Sequence, residues 1–448
     1  MAKTNNNYEF LTTAPVPRVI GKMAAPAMVS MLMTSFYNMA DTYFVGKIST
    51  QATAAVGVSF ALMSVIQAIG FFFGQGAGTY ISRELGARNV RHAEEMASFS
   101  FFVAIASGIV LMVLGLCFLT PLSIALGSTP TILPSTKEFL VMVLMGTPFM
   151  IGSMVLNNQM KFQGNANYAM FGMLSGGIVN LILVPLFIFG MNLGVFGAGL
   201  GTFIGQVCGF VVLLIMSHMG GNIIISPTKF RATKRYVREV FRGGTPSLTR
   251  QGLAAISTSV LNLAAGAYGD AAIAGVSIVS RISFLILSAV IGLGHGFQPF
   301  CGFNYGAGNN VRIKQGYYFC LKVSMLGLLG GIAICFPLAT PIVTLFRHDA
   351  DVIAVAAATF RWQMVTYPLV AFVTLSNMMM QTMGKSLSAN LVAAARNGIC
   401  FIPMILLFSH WFGLKGIEMC QSASDVLTFL VTAVLTVHLI RHSLRSKN

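Results

Sequence analysis

Twelve acidic residues in a chain of 448 are few enough to inspect singly. Ten fall at the edges of long apolar stretches or between them. Glu9, Glu84, Glu94, Glu95 and Glu239 lie on one side, and Glu138, Asp270, Asp349, Asp351 and Glu418 on the other. Asp41 and Asp425 fall inside such stretches. A carboxylate in hydrocarbon is costly, so each marks a candidate functional site. Asp41 sits in Phe36-Tyr37-Asn38-Met39-Ala40-Asp41-Thr42-Tyr43, with Tyr37 four residues earlier and Asn38 three. On a helix these share one face, giving a polar stripe that must turn toward a cavity or partner helices rather than lipid. Burial favours the protonated acid, while donors or a bound cation favour the carboxylate. Such a group exchanges H⁺ or Na⁺ as its surroundings change. Pro26, fifteen residues earlier, lets this helix bend.

Other polar residues inside apolar stretches offer partners. Counting from the stretch ends puts Asn180 and Thr202 at about the depth of Asp41, whereas Asn157 falls nearer the opposite end. Asp425 faces Gln206 in the internal repeat described below, and is expected to line the cavity in the C-terminal half. Methionines are abundant, 27 in all, and Met379 lies in the run Met378-Met379-Met380. Flexible, polarizable side chains suit a promiscuous pocket. Two rows of small residues, Gly70-Gly74-Gly78 and Gly197-Gly201-Gly205-Gly209, predict close helix packing.

Motifs for soluble chemistry are missing. There is no G-x-x-x-x-G-K-[ST], H-E-x-x-H or G-x-S-x-G, and no Cys/His metal spacing. The seven cysteines show no C-x-x-C and read as small packing residues. His295 reads as a hydrogen-bonded packing residue. No enzyme, no metal and no cofactor is expected beyond a coupling ion.

The elements that must position these residues follow from composition: 55% hydrophobic and only 9% charged. About a quarter charged is usual for a soluble globular chain. Stretches of ~20 apolar residues span a bilayer as helices. Twelve occur, at roughly 23–46, 52–80, 96–119, 138–160, 168–189, 197–218, 246–268, 271–301, 316–340, 355–380, 388–410 and 416–439, and they leave only short loops between them. Of the 28 Lys and Arg, 22 fall on the side of the N-terminus and five on the other, with Arg281 within a span. This asymmetry predicts a multi-pass inner-membrane protein with both termini cytoplasmic. It also accounts for the net charge of +16 without nucleic acid as a partner.

The two halves repeat at an offset near 220 residues. Ala55-Val56-Gly57-Val58-Ser59 matches Ile273-Ala274-Gly275-Val276-Ser277, Gly74-Gln75-Gly76 matches Gly294-His295-Gly296, and Gln163-Gly164 matches Met383-Gly384. Six spans per copy make the copies parallel, as in two-lobed secondary transporters. The expected fold is all-α, with an N-terminal lobe over 1–225, a basic connector over 226–245 and a C-terminal lobe over 246–448.

At these residues the sequence resembles the multidrug and toxic compound extrusion (MATE) family over essentially its whole length. Tyr37 through Gly46, Ser82-Arg83-Glu84-Leu85-Gly86-Ala87-Arg88, Gln163-Gly164-Asn165, Asn180 through Gly190 and Gly302-Phe303-Asn304-Tyr305-Gly306-Ala307 carry the likeness. The resemblance implies two six-helix lobes around a central cavity and export of amphipathic organic cations in antiport with H⁺ or Na⁺. Spans seven and ten lack an acid, so the chain is more similar to the DinF-like branch, whose coupling site lies in the N-terminal lobe. Asp41, Asn157, Asn180 and Thr202 match that site. Where relatives carry an acid four residues after Asn180 this chain has Val184, which leaves one carboxylate and leans the coupling toward H⁺. The chain is expected to work as a monomer among membrane lipids, on cationic small molecules. The alternative is a flippase for a lipid-linked anion. It needs several cations in the cavity, whereas Arg281 alone lies well inside a span and Arg250, Arg361 and Arg396 read as close to span ends.

Overall fold

The computed structural model describes residues 2–346 and 349–444, the side chains of residues 2–6, 38, 39 and 50 excepted. The side chains of Asn38 among the candidate site residues and of Lys3 among the basic ones, with Arg347, Arg445 and Lys447, thus lie outside that description. The N-terminal half contains α1 (Ala2–Thr13), α2 (Val16–Gly46), α3 (Thr50–Gly86), α4 (Val90–Cys117), α5 (Leu119–Ala125), α6 (Leu133–Phe162), α7 (Ala166–Pro185) and α8 (Gly194–Ser217). The C-terminal half contains α9 (Lys234–Gly266), α10 (Asp270–Gly306), α11 (Asn310–Cys335), α12 (Ala339–Thr344), α13 (Ala350–Thr382), α14 (Ser386–Ala394), α15 (Phe401–Phe412) and α16 (Leu414–His442). A π-helical turn, Leu186–Gly190, continues α7, and another, Ala395–Ile399, joins α14 to α15. The described residues contain no strand.

Among the described residues, twelve long helices, counting each π-joined run once, coincide with the twelve apolar stretches. Ten have the length and apolarity to cross a membrane. The other two, α9 and α13, are 33 residues each but more polar. The first turns of α9 hold Lys234, Arg235, Arg238, Glu239 and Arg242, and α13 carries Asp351 and Arg361. The expected connector over 226–245 is correspondingly shorter, because α9 already begins at Lys234. Its Thr233 hydroxyl caps the helix by accepting from the Tyr236 N–H at 3.4 Å. Charge ends an apolar stretch without ending a helix.

Within the N-terminal lobe α3 and α8 pack on α6, and α7 packs on α8. Within the C-terminal lobe α13 joins α10 to α16, and α15 packs on α16. The lobes meet through α3 against α9 and α2 against α10. The structure repeats as the sequence does. Asn157 Nδ2 donates to the Ala169 carbonyl at 2.8 Å, and Asn377 Nδ2 to the Ala389 carbonyl at 2.6 Å, both members shifted by 220 residues. Gly164 and Gly384 turn the chain at equivalent places with φ of +84° and +72°, a region that favours glycine.

One end of the bundle carries most of the basic residues, and the lobes are sealed there. A single apolar core joins Ile20, Ile81 and Leu85 of the first lobe to Val240, Phe297, Phe303 and Met380 of the second. Toward the opposite end each lobe keeps its own core: Val56, Phe139 and Val184 in one, Val279, Phe360 and Met364 in the other. Backbones touch at the seal. A Cβ on Gly86 would fall on the Phe303 carbonyl, and one on Gly306 on the Arg83 carbonyl. Polar links gather at the same end. Arg83 pairs with Glu239 at 2.6 Å and donates to the Thr382 carbonyl at 2.9 Å, and Tyr236 donates to Glu95 at 2.5 Å. Burial, then that bond to Glu95, raises the Tyr236 phenol well above its ordinary range, so it remains a donor. Repeat mates Gln75 and His295 approach to 3.5 Å, which puts the pseudo-two-fold axis through the floor of the cleft. The cleft therefore opens away from the basic end.

Candidate functional site

Asp41 stands five residues before the end of α2, on the side turned away from the α10 contact. Ala24 and Met28, which meet Gly296 and Gly292 of α10, lie on the opposite face. Asp41 therefore points into its own lobe, toward α7 and α8. The glycine row on α8 lets those two helices approach closely. A Cβ on Gly201 would lie 2.8 Å from Val184 Cγ2, and one on Gly205 2.9 Å from Asn180 Cβ. This close crossing sets Asn180 Nδ2 3.3 Å from Thr202 Oγ1, which itself donates to the Ala198 carbonyl at 3.0 Å. The Asn180 side chain also lies within hydrogen-bonding reach of the Asp41 carboxylate.

Asp41, Thr202 and Val184 line a pocket of about 10 Å³ with Phe60, Met63 and Phe139. That is room for about one water-sized guest. Two buried oxygens there lack a hydrogen-bond partner: Asp41 Oδ1 and Asn180 Oδ1. Buried polar atoms are normally satisfied, so an unpartnered pair of acceptors beside a small void fits a cation or a proton. Tyr37 sits next to the carboxylate and packs over Gly177 of α7, as its spacing predicts.

A family model described as MatE matches residues 26–186 and 246–407. The chain belongs to the MatE family. It is a multi-pass membrane transporter rather than an enzyme. It is 29% identical over 426 residues to the multidrug export protein MepA of Staphylococcus haemolyticus (strain JCSC1435), covering 94% of this chain and 92% of that one. It is 28% identical over 441 residues to MepA of Staphylococcus aureus (strain MSSA476), covering 97% and 96%. Among solved structures, a MOP superfamily transporter from Pyrococcus furiosus superposes with a TM-score of 0.91 at 22% identity, over 98% of this chain and 99% of that one. An outward-facing multidrug resistance MATE family transporter gives 0.91 at 23% identity, over 97% and 98%. At such identities the likeness is one of fold.

In this MatE chain Asn157, Met379 and Gln206 do not join Asp41. Asn157 lies 24 residues from the start of α6, a depth roughly 28 Å beyond that of Asp41 at 1.5 Å per residue. Its amide is held by the Ala169 carbonyl, so it clamps α6 to α7 rather than facing the pocket. Met379 is fully buried in the core that seals the lobes. The packing demand of that seal accounts for the methionine cluster. Gln206 lies against Gly146 of α6, and its Nε2 reaches Met150 Sδ at 3.5 Å. Its Oε1 has no partner.

Asp425 is buried in the C-terminal lobe within a constellation that sequence spacing did not reveal. It accepts from Gln421 at 3.2 Å and from Thr366 at 3.3 Å, and faces Arg396 Nε at 3.7 Å. Arg250 donates to Asn377 Oδ1 at 3.2 Å and to Ser247 Oγ at 3.4 Å. Both arginines lie mid-helix, sixteen residues from the far ends of their helical runs, not near span ends as expected. For Arg250 the cause is the length of its helix: α9 extends twelve residues before the apolar stretch, so apolarity misjudges depth. His295 makes its expected packing bond, its Nδ1–H donating to Gln298 Oε1 at 3.0 Å on the cleft floor.

Proposed function

We propose that this MatE chain is a multidrug exporter that extrudes amphipathic organic cations in antiport with H⁺ at Asp41. The observation that carries the reading is the largely buried Asp41 carboxylate, with one oxygen unpartnered, at a pocket sized for about one small guest. The MepA relatives are multidrug export proteins, which supports drug export by this chain. The charge asymmetry supports a plasma-membrane orientation with both termini cytoplasmic. In that orientation the cleft described above faces outward.

Transport then proceeds by alternating access. Substrate enters from the cytoplasm or inner leaflet, and the lobes rock about the basic-end seal to expose it outside. A proton binding Asp41 shifts the population away from the substrate-holding state. A shift of this kind requires that proton and drug prefer different states. Pro26, with the Ser30 hydroxyl donating to its carbonyl at 2.9 Å, gives α2 a place to bend as Asp41 changes charge. One carboxylate, with Val184 where a second could stand, favours H⁺ over Na⁺.

Proteoliposomes loaded with a fluorescent organic cation test the coupling ion. An imposed pH gradient alone is expected to drive export. Export driven by a Na⁺ gradient at equal pH on both sides would overturn H⁺ coupling. The same assay reads Val184→Asp. A second carboxylate in the pocket completes an oxygen-rich cation site, so Na⁺-driven export is expected to appear in this variant, at least about tenfold above wild type. No gain from Na⁺ would show that position 184 does not face the ion.

A further inference from the structure

The C-terminal wall of the cleft carries buried positive charge without matching negative charge. Arg250 and Arg396 lie on touching elements: Asn397 Nδ2 donates to the Arg250 carbonyl at 3.2 Å, and Ser257 donates to the Asn397 carbonyl. Their guanidiniums are near enough to repel each other. Asp425 is the one acid in the group, and it backs Arg396 alone. Arg396 keeps 26% of its side chain exposed while Nε has no hydrogen-bond partner. Midway along a membrane helix, exposure of a guanidinium to lipid is prohibitive, so that surface must face the cleft. The same conclusion follows for Arg250. It continues the α9 face that carries Gly243, about two turns beyond the contact of Gly243 and Gly244 with α3. Arg281 is exposed and shares its α10 face with Gly292 and Gly296, which meet α2. It therefore overlooks the cleft nearer the mouth.

We propose that Arg250 and Arg396, with Arg281 above them, form an anion subsite on this wall that takes the carboxylate of zwitterionic amphiphiles. The proposal deepens the export reading and rests on it. Guanidinium forks recognise carboxylates by paired charge-assisted hydrogen bonds. Asp425 orients the Arg396 fork from behind and leaves its outer N–H groups for the ligand. The π-helical turn at Ala395–Ile399 supplies the local widening that brings Arg396 inward, a role such turns often have at binding sites.

Rhodamine 110 and rhodamine 123 test this directly, because they share one cationic dye and differ by a free carboxylate against a methyl ester. Fluorescence polarisation with purified protein in phosphatidylcholine nanodiscs reads both Kd values. Wild type is expected to prefer the free acid by about tenfold. Arg250→Gln, and separately the charge-neutral double variant Arg396→Gln/Asp425→Asn, should each bring the ratio of the two Kd values close to one. The double variant removes both members of the Arg396–Asp425 pair together, so neither is left charged without the other, and its melting temperature against wild type confirms folding. Equal affinity of wild type for both dyes, or a preference that survives in both variants, would overturn the subsite. Phosphatidylglycerol added to the nanodiscs separates the sources of anion. Loss of the acid preference at a few percent of this lipid would assign the arginines to a lipid headgroup and overturn the small-molecule reading. Export from proteoliposomes is scored independently. Absence of export with the preference intact would sink the export reading and leave the subsite standing.

Discussion

Asp41→Asn is expected to abolish drug efflux, by about a hundredfold or more, while the protein stays in the membrane at its wild-type level. The substitution keeps the shape of the side chain and its contact with Asn180, so the packing of α2 on α7 survives. It removes the ionisable group. Moving a two-state equilibrium from 1:99 to 99:1 takes a differential binding free energy of about 5.5 kcal/mol. Without a carboxylate in that pocket the driving ion has no differential affinity for the two states, and this free energy falls to zero. Dye binding to purified protein should persist, because the lobes and the cleft remain. The loss is therefore one of uphill transport and not of affinity. Efflux of a fluorescent cation from preloaded cells, normalised to membrane protein level, measures it. Undiminished efflux would remove Asp41 from the coupling step.

Gly306→Val is expected to eliminate export by a different route. At Gly306 the neighbour that a side chain would strike is the Arg83 carbonyl, and at Gly86 it is the Phe303 carbonyl. Backbone atoms cannot swing aside as a side chain can, so the branched residue must push α3 and α10 apart. The seal at the basic end then cannot form, and the state described here is lost from the cycle. Cys301 reports on this. It is fully buried in the sealing core in the wild-type fold. With the remaining cysteines replaced, a thiol reagent should label Cys301 in the variant at least about tenfold faster than in wild type, since labelling follows the population of the open form. Full export together with a protected Cys301 would contradict the wedge.

Much of the fold was legible because a bilayer is a demanding solvent. Twelve apolar stretches, the 220-residue offset and the glycine rows each correspond to a helix, a lobe or a crossing. The pairing of Asn180 with Thr202 near Asp41 was readable from depth counted along each helix. Depth failed where helices outrun their apolar cores. Arg250 looked peripheral because α9 begins among charges, and Asn157 matched a family pattern while its own depth set it far from Asp41. Met379 was ambiguous in kind, since a methionine cluster serves a pocket and a seal equally well. The partnership of Arg396 with Asp425 had no sequence signal at all. The two residues stand 29 positions apart on neighbouring helices, and no fixed spacing predicts which faces of two helices meet.

The offset between halves bears on how the cycle is driven. At 219 or 220 residues from Asp41, Asn180 and Thr202 stand Leu261, Cys400 and Gln421, none of them a carboxylate. In the other direction, Arg250, Arg396 and Asp425 correspond to Ser30, Gly176 and Gln206. A scaffold with near two-fold symmetry thus holds two unlike half-sites, one acidic and one basic, and neither is duplicated. With coupling at Asp41 as proposed, this division of labour predicts a single driving ion per turnover, carried by one lobe, while the other lobe is free to meet the cargo.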